Sequence, residues 1–157
     1  MVRRYREGDH LEIGRIYHEA IHRLAAADYT PEQLAAWSNG KIDWEKWRER
    51  CERKQPFVKE IEGEVAGFME MDPDGHIDCT YVNPVYARRG VMSEIMAAVK
   101  AEAERMGIKR LFAEVSITAR PFFEKHGFVL VRDNQVLIGD QILINFIMES
   151  RFVSDPG

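Results

Sequence analysis

The sequence is poor in cysteine and has no long apolar run, and both absences narrow the class of protein. Its two cysteines, Cys51 and Cys79, form no paired motif, so we expect free thiols in a reducing cytoplasm rather than a disulfide framework. No segment approaches the roughly 20 apolar residues that cross a membrane. No apolar stretch follows residues 1–5, which argues against a signal peptide. We therefore expect a cytoplasmic protein without a membrane partner.

A large excess of one charge is also missing. Lysine and arginine number 22 and aspartate and glutamate 26, which gives a formal net charge of −4. Recruitment to nucleic acid by overall charge is therefore not expected. The 157 residues, 45% of them hydrophobic, suit a single domain over residues 1–157. A chain of this length buries enough surface to fold without a metal or a disulfide.

The N-terminal third predicts one strand and three helices. Over residues 11–27 apolar side chains recur with the helical period, and Asp9 and Glu12 resemble a capping box at the helix start. The other elements predicted here are a strand at 2–6, a helix at 31–37 capped by Thr30, and a helix that begins near Asp43.

Strands and helices alternate in the rest of the chain. After residue 55 the apolar period changes to two, which is typical of strands. Gly90 is expected to open a long helix that Gly107 terminates. The other predictions are strands at 56–61, 65–71, 77–82 and 109–115, a short helix at 118–125, and a final hairpin with apolar stretches at 128–131, 136–138 and 141–148. This order predicts an α+β domain with helices packed on a mostly antiparallel sheet.

Residues 81–93 (YVNPVYARRGVMS) carry the strongest chemical signal. The first N–H groups of a helix lack partners, and together with the helix dipole they attract anions. Gly90 has no Cβ to keep a phosphate away, and Arg88 and Arg89 can donate charge-assisted hydrogen bonds. A solvated turn with surface arginines is the alternative that these features alone leave open. The GxGxxG and GxxxxGK[ST] patterns are absent.

Residues 84–92 (PVYARRGVM) resemble the acetyl-CoA loop of the GNAT N-acetyltransferase superfamily, and residues 116–128 (SITARPFFEKHGF) are similar to its second signature. Residues 29–37 (YTPEQLAAW) resemble a small bacterial branch, the YafP-like acetyltransferases. Both signatures occur in the family's order, so the resemblance covers essentially the whole chain. It implies a GNAT-type acyl-CoA acyltransferase fold. That fold is a mixed, mostly antiparallel sheet with helices on both faces and a splayed central pair of parallel strands.

The same resemblance implies that acetyl-CoA is the cosubstrate and that no metal takes part. Backbone amides of residues 88–93 would hold the diphosphate, and the pantetheine would lie between the strand ending at Tyr81-Val82 and the strand at 109–115. An amide near that strand end would polarise the acetyl carbonyl. The residues implied in cofactor binding are Tyr81, Val82, Ala87, Arg88, Arg89, Gly90, Val91, Met92, Ser93, Ser116, Ala119, Phe122 and Phe123.

Four positions depart from the family pattern, one of them Ser116, which stands where many members have Asn. Ala87 stands where the family prefers Gln or Arg, and Met92 stands where it prefers Gly or Ala. Phe123 occupies the position at which many members place the tyrosine that protonates the departing thiolate. Ser116, another side chain or solvent must therefore supply that proton, unless the thiolate leaves without help.

Transfer to an amine also needs a group that removes a proton from the acceptor. Glu70 and Asp78 are candidates on neighbouring predicted strands, with Glu114 as a third. Each of these carboxylates also fits an ordinary solvent-facing position on a strand. The expected catalytic residues are therefore Glu70, Asp78 and Ser116.

The acceptor is expected between the first two helices and the C-terminal hairpin. By resemblance to the YafP-like pattern, the residues that would line this pocket are His22, Tyr29, Gln33 and Trp37. Ordinary packing is the alternative for each. Residues 18–22 (HEAIH) also match the HExxH pattern of zinc proteases, in which the two histidines bind the metal. Since apolar residues already form the core stripe of this helix, surface or pocket-edge histidines are favoured.

The sequence thus favours an acetyl-CoA-dependent N-acetyltransferase that transfers the acetyl group directly, without an acyl-enzyme, to a primary amine of a small molecule or peptide. One alternative is a non-catalytic acyl-CoA-binding sensor or partner module, which Phe123 keeps open. The other is a zinc hydrolase built on HEAIH. The final hairpin, at residues 145–148 (NFIM), offers an edge for a homodimer, which the sequence does not decide.

Overall fold

The computed structural model describes residues 1–152, in which helices and strands follow one another largely as the sequence predicts. No helix in that part of the chain is long and apolar enough to cross a bilayer. In chain order the elements are β1 (Val2–Arg4), α1 (Asp9–Leu24), α2 (Pro31–Trp37), α3 (Trp44–Lys54), β2 (Phe57–Ile61), β3 (Glu64–Met71), β4 (Ile77–Val82), a 3₁₀ turn (Pro84–Tyr86), α4 (Val91–Arg105), β5 (Arg110–Ser116), α5 (Arg120–Lys125), β6 (Val129–Ile138) and β7 (Gln141–Arg151).

Two predicted helix starts are confirmed by their hydrogen bonds. Thr30 Oγ1 accepts the N–H of Gln33 at 3.1 Å, and the Gln33 side chain accepts the N–H of Thr30 at 2.9 Å. These reciprocal bonds complete a capping box at α2. Asp43 caps α3 by accepting the N–H of Lys46 at 3.1 Å.

The predicted capping box at α1 is wrong. The N-cap is Gly8, and the Asp9 carboxylate is instead bound by the guanidinium of Arg3 at 2.7 Å. Glu12 accepts the N–H of Val65 at 2.7 Å. Both acidic side chains therefore attach α1 to strands of the sheet, because these tertiary partners outcompete the local cap.

The strands form two antiparallel sheets, ordered β1-β2-β3-β4 and β5-β7-β6. In the second sheet β6 is longer than the two short apolar stretches that the sequence predicts. It runs without interruption from Val129 to Ile138, because β7 pairs with the polar residues between those stretches as well. As a result, β6 forms a long outer edge of that sheet.

One parallel bridge joins the two sheets in the described residues, between His76 and Phe112. Phe112 donates its N–H to the carbonyl oxygen of Gly75 at 3.1 Å. Beyond this point β4 and β5 share no ladder, and a cleft lies between them. The splayed parallel pair is thereby confirmed, although it divides the expected single sheet into two.

Helices cover both faces of the first sheet, as predicted. Because side chains alternate along a strand, Phe57 and Met69 face α4 while Val58 and Phe68 face α1 and α3. All four side chains are at most 6% exposed. The two cores hold the first sheet between helical layers, so the end of β4 projects from a rigid support.

Replacing Gly75 with alanine should disturb this junction between the sheets. A Cβ at Gly75 would lie 2.1 Å from the carbonyl oxygen of Arg110, and its φ is +93°. The backbone carbonyl can move away only by disrupting the bridge. We expect Gly75→Ala to lower the free energy of unfolding by clearly more than the roughly 1–2 kcal/mol of a left-handed alanine, as measured by urea denaturation.

Gly139→Ala is the matched control. Gly139 also has a positive φ, of +60°, but a Cβ at this position would meet nothing within 4 Å. In this variant the free energy of unfolding should fall only by the roughly 1–2 kcal/mol of a left-handed alanine. Equal losses in the two variants would contradict the conclusion that the spacing at Gly75 is set by the bridge.

Candidate active site

The turn between β4 and α4 is held in one shape by its own side chains. Asn83 accepts a backbone N–H within the turn at 3.1 Å, and Tyr86 donates its hydroxyl to Glu64 at 2.6 Å. Arg88 and Gly90 then adopt positive φ values of 64° and 76°. A non-glycine residue in this region is strained, and such strain is concentrated at ligand-binding sites.

Backbone amides at the end of this turn are free to bind a ligand. The first helical hydrogen bond of α4 runs from the N–H of Glu94 to the carbonyl oxygen of Gly90 at 3.1 Å. The N–H groups of residues 91–93 precede it and have no helical acceptor. Those of Arg88, Arg89 and Gly90 likewise donate to no backbone acceptor within residues 1–152. We call residues 87–93 the amide loop.

Met92, which departs from the family pattern, is accommodated by a glycine on β3. A Cβ at Gly67 would lie 2.8 Å from the sulfur of Met92 and 3.1 Å from Cγ1 of Val91. The start of α4 therefore packs directly on the backbone of β3. The large side chain at position 92 leaves the loop amides accessible.

A cleft of about 610 Å³ runs from the amide loop into the gap between β4 and β5. We call it the long cleft. The residues predicted for cofactor binding line it with two exceptions, and they are Tyr81, Val82, Ala87, Arg88, Gly90, Val91, Met92, Ser93, Ser116, Ala119 and Phe122. Lys125 also lines it, so Arg88 and Lys125 bring two positive charges to its walls.

Arg89 and Phe123 are the two exceptions. The guanidinium of Arg89 lies 5.7 Å from the ring centroid of Tyr86, outside the cleft lining. Phe123 is 2% exposed and packs edge-on against Phe122 and Phe128, with ring centroids 5.5 and 4.9 Å away. Phe123 also lines a smaller neighbouring cavity, so the absence of a tyrosine hydroxyl at position 123 leaves an apolar group at that wall.

A smaller cavity of about 190 Å³ adjoins the inner end of the long cleft. We call it the junction cavity, because the two spaces share wall residues. The shared residues are Trp37, Thr80, Tyr81, Ser116 and Ala119. Asp78 and Glu114 also line the junction cavity and bring two carboxylates to it.

Two hydroxyls lie at the boundary between these spaces. Ser116 Oγ accepts the N–H of Ala119 at 3.0 Å, which leaves its own hydrogen free to donate. Thr80 Oγ1 is the one buried side-chain nitrogen or oxygen in the described residues without a hydrogen-bond partner. A buried orphan hydroxyl is unfavourable, so its presence beside a cavity points to a ligand. Sequence reasoning missed Thr80, because a threonine in a strand carries no local signal.

Glu70 occupies a different setting from the one the sequence predicts. It is 1% exposed, and both its oxygens are bound by Arg50 of α3, at 2.8 and 3.0 Å from Nε. It is absent from the linings of the long cleft and the junction cavity. Glu70 thus holds Arg50 in place, and this geometry does not support Glu70 as a base.

Asp78 shares the same arginine. Arg50 Nη2 lies 2.9 Å from the Asp78 carboxylate, and Lys54 Nζ lies 3.2 Å from it. Burial by itself would raise the pKa of Asp78, but the charges of Arg50 and Lys54 outweigh it and hold this pKa below its ordinary value. Asp78 therefore remains a carboxylate and is a weak proton acceptor.

Glu114 is the carboxylate in the junction cavity with a titratable partner. His76 donates from Nε2 to Glu114 at 2.6 Å, across the gap between the two sheets. Burial would lower the pKa of His76, but the bonds to Glu114 and Asp72 raise it above its ordinary value. The pair therefore offers a carboxylate with an imidazole that can share charge with it.

The two histidines of HEAIH attach the end of α2 to α1. His18 Nδ1 lies 2.6 Å from the hydroxyl of Ser38, and His22 donates from Nε2 to the carbonyl oxygen of Ser38 at 2.6 Å. Because Ser38 follows Trp37, these bonds fix the indole that lines both cavities. His22 is thus a support for the pocket and not part of its lining.

The other residues predicted to bind the acceptor substrate also fall into two groups, those that line a cavity and those that only connect elements of the fold. Tyr29 lines the junction cavity, where it donates its hydroxyl to Ile144 at 2.7 Å and accepts the N–H of Ile117 at 3.0 Å. Gln33 is absent from both linings and donates to the carbonyl oxygen of Ile142 at 2.9 Å. Tyr29 and Trp37 therefore remain candidates for contact with an acceptor, whereas Gln33 connects α2 to β7.

Metal-type ligands do not converge at the HEAIH histidines. Within residues 1–152 one set of three such side chains lies close together, Asp72, His76 and Asp78. The ammonium of Lys54 already bonds to Asp72 at 2.8 Å and to Asp78 at 3.2 Å. The zinc hydrolase alternative therefore has no ligand set in the described residues to support it.

Comparison with known proteins agrees with this geometry. The family model described as an acetyltransferase (GNAT) domain matches residues 25–142. The N-acetyltransferase YafP of Escherichia coli K12, described as uncharacterized, is 34% identical over 148 residues, which cover 94% of this chain and 93% of that protein. A GCN5-related N-acetyltransferase from Rhodopseudomonas palustris is 31% identical, with a TM-score of 0.90 over 97% of this chain and 95% of that chain.

A more distant solved structure has the same fold. The PaiA N-acetyltransferase of Thermoplasma acidophilum, solved in complex with coenzyme A, is 19% identical, with a TM-score of 0.78 over 97% of this chain and 98% of that chain. The family and branch that the sequence motifs suggest are thus confirmed. From its family match, its relatives and its splayed strands, the chain belongs to the GNAT N-acetyltransferases, on the YafP-like side of that family.

Proposed function

We propose that the protein transfers the acetyl group of acetyl-CoA directly to a primary amine. The observation that supports this most is the orphan hydroxyl of Thr80, placed where the long cleft meets the junction cavity. One space suits a long donor and the other a small acceptor group. Because the two spaces share walls, donor and acceptor can meet without an acyl-enzyme.

The residues of the long cleft fit coenzyme A. A Cβ at Gly90 would meet nothing within 4 Å, so the approach to the loop backbone is open. The free amides of the amide loop and the positive charge of Arg88 suit a diphosphate. Lys125 adds a second cation at the same wall. When bound, acetyl-CoA supplies an activated acetyl thioester.

The junction cavity supplies the proton-handling groups. Thr80 and Ser116 keep hydroxyl hydrogens that can be donated at the cavity boundary, where Phe123 has none to give. Asp78 stays ionised beside Arg50 and attracts an ammonium group. Glu114 has no lysine or arginine partner in the described residues, so with His76 neutral it is the carboxylate better able to accept the proton of the amine.

A cytoplasmic location, the lack of nucleic-acid and membrane partners, and dimerisation stay predictions. Residues 145–148, the expected dimer edge, lie in β7 between β5 and β6 and are not an edge, so the free edge of the final hairpin is β6. Several large apolar side chains of the final hairpin are exposed, including Val129 at 61% and Leu137 at 72%. That exposure is compatible with a second copy pairing there.

Gly90→Glu should abolish most of the coenzyme A affinity. The new carboxylate would lie beside the loop amides and repel a diphosphate, so we expect binding to weaken by at least about tenfold, or about 1.4 kcal/mol. Isothermal titration of coenzyme A into the protein measures this. Gly107→Glu is the control, because Gly107 has the same φ of +76° and equally open space at the other end of α4. Equal affinity in the two variants would contradict the assignment of the amide loop.

Thr80→Val should change stability and rate in opposite directions. Removing an unpaired buried hydroxyl should raise the free energy of unfolding of the ligand-free protein, by up to about 1–2 kcal/mol. The same change should lower kcat by about tenfold or more, since a positioned hydrogen-bond donor to the developing charge is typically worth about 10²–10³-fold and Ser116 retains part of this effect. Thermal unfolding and thiol release with an amine acceptor measure the two effects.

Thr80→Ser is the control for this pair of measurements. It keeps the hydroxyl, so its kcat should stay close to that of the native protein. If kcat were unchanged in Thr80→Val, the Thr80 hydroxyl would have no role in the mechanism. Coenzyme A binding without thiol release for any acceptor, in the native protein, would instead favour the non-catalytic sensor.

A further inference from the structure

A third cavity lies on the other side of Trp37 from the long cleft. It measures about 550 Å³ and is enclosed by α1, α3, the segment between α2 and α3, and the edge of β4. We call it the outer groove. It shares Trp37, Asp78 and Tyr81 with the junction cavity, so the two spaces adjoin at these three side chains.

Aromatic rings form the floor of the outer groove. The ring of Tyr17 lies 5.1 Å from that of Trp47 and 4.9 Å from that of Tyr81, between centroids. Burial raises the pKa of Tyr17 to about 12, so its hydroxyl stays neutral. Burial also raises the pKa of Tyr81 well above its ordinary value. The rings are inclined to one another by 58° and 71°, so they form an angled apolar floor, in a groove that Arg50 and Asp78 also line. An aromatic body can pack against the face of one ring and the edge of the next.

Two lysines at the outer end of the groove have no carboxylate partner. Among the described residues the lysines in salt bridges are Lys54 and Lys59. Lys41 and Lys46 line the groove and are not among them. Asp43 also lines it, and its carboxylate accepts the N–H that begins α3. The outer end therefore carries two unpaired ammonium groups against one capping carboxylate.

The inner end has the opposite polarity. Asp78 and Glu114 both line the junction cavity, whereas Arg50, which lies 2.9 Å from Asp78, lines the outer groove and not that cavity. An ammonium is therefore favoured at the inner end and an anion at the outer end. The junction cavity, of about 190 Å³, has room for the amine and the carbons attached to it.

We propose that the acceptor is a small primary amine with a flat apolar body and a carboxylate at its far end. The amine enters the junction cavity, the body lies on Tyr17, Trp47 and Tyr81, and the carboxylate pairs with Lys41 and Lys46. This inference rests on the proposed acetyl transfer, and it adds the substrate class. The groove volume is in the range of sites for small molecules.

Two isosteric amines test the proposal. We would compare acetylation of 4-(aminomethyl)benzoate with that of 4-(aminomethyl)benzamide by thiol release. The native protein should prefer the benzoate by about tenfold in kcat/KM, as expected for a charge-assisted contact. Lys46→Glu should reverse this preference, mainly through KM for the benzoate, and Lys41→Ala should reduce it.

Lys109→Glu is the matched control for Lys46→Glu. Lys109 is exposed, lines none of the three cavities and undergoes the same change of charge, so both amines should react as with the native protein. Equal turnover of the two amines by the native protein, or an unaltered preference in Lys46→Glu, would overturn the proposal. Turnover of neither amine would overturn it as well.

A titration of coenzyme A without an acceptor distinguishes failure of the acceptor proposal from failure of the proposed acetyl transfer. If coenzyme A binds and other amines are acetylated but the benzoate is not preferred, the acceptor class is wrong and the acetyl transfer stands. If coenzyme A does not bind, the proposed function fails, and the acceptor inference fails with it.

Discussion

The active site depends on one constraint, the single point at which β4 and β5 are joined. Gly75 accepts the N–H of Phe112 and lies so close to the carbonyl oxygen of Arg110 that no Cβ fits there, and past that contact the strands separate. The backbone edges that would otherwise pair with one another are then available to a ligand. The long cleft, the junction cavity and the orphan hydroxyl of Thr80 all lie along this separation. The separation of the two sheets therefore sets the position of these cavities, and the loops form the remaining walls.

Local sequence predicted most of the fold and the donor half of the site, because both depend on neighbouring residues. The positions of the helices followed from periodicity, and the capping residue Thr30 acts within its own turn. The amide loop is a contiguous segment, so its pattern is visible in the sequence. The predicted cap at Asp9 was wrong because its partner, Arg3, belongs to another element. Thr80 was missed because the lack of a partner is a property of the packed structure.

The roles of the charged residues around β4 also depend on tertiary partners, so local sequence could not assign them. Glu70, predicted as a base, lies under Arg50, which also binds Asp78 and lies 3.4 Å from the sulfur of Cys79. No spacing in the sequence connects these residues. Burial raises the pKa of the Cys79 thiol well above its ordinary value, in agreement with its interpretation as a buried apolar residue. The guanidinium thus organises two carboxylates of different function: one holds it in place, and the other faces the junction cavity.

Trp37 and Tyr81 line the long cleft, the junction cavity and the outer groove alike. The proposed donor and acceptor sites therefore have common walls, and His18 and His22 bond to Ser38 beside one of them, Trp37. During divergence, a lineage could acquire a new acceptor by altering Lys41 or Lys46 without affecting the donor. A change at Trp37 would alter both substrates at once. Evolutionary innovation in this enzyme is accordingly expected at the rim of the groove, while the shared aromatic walls persist.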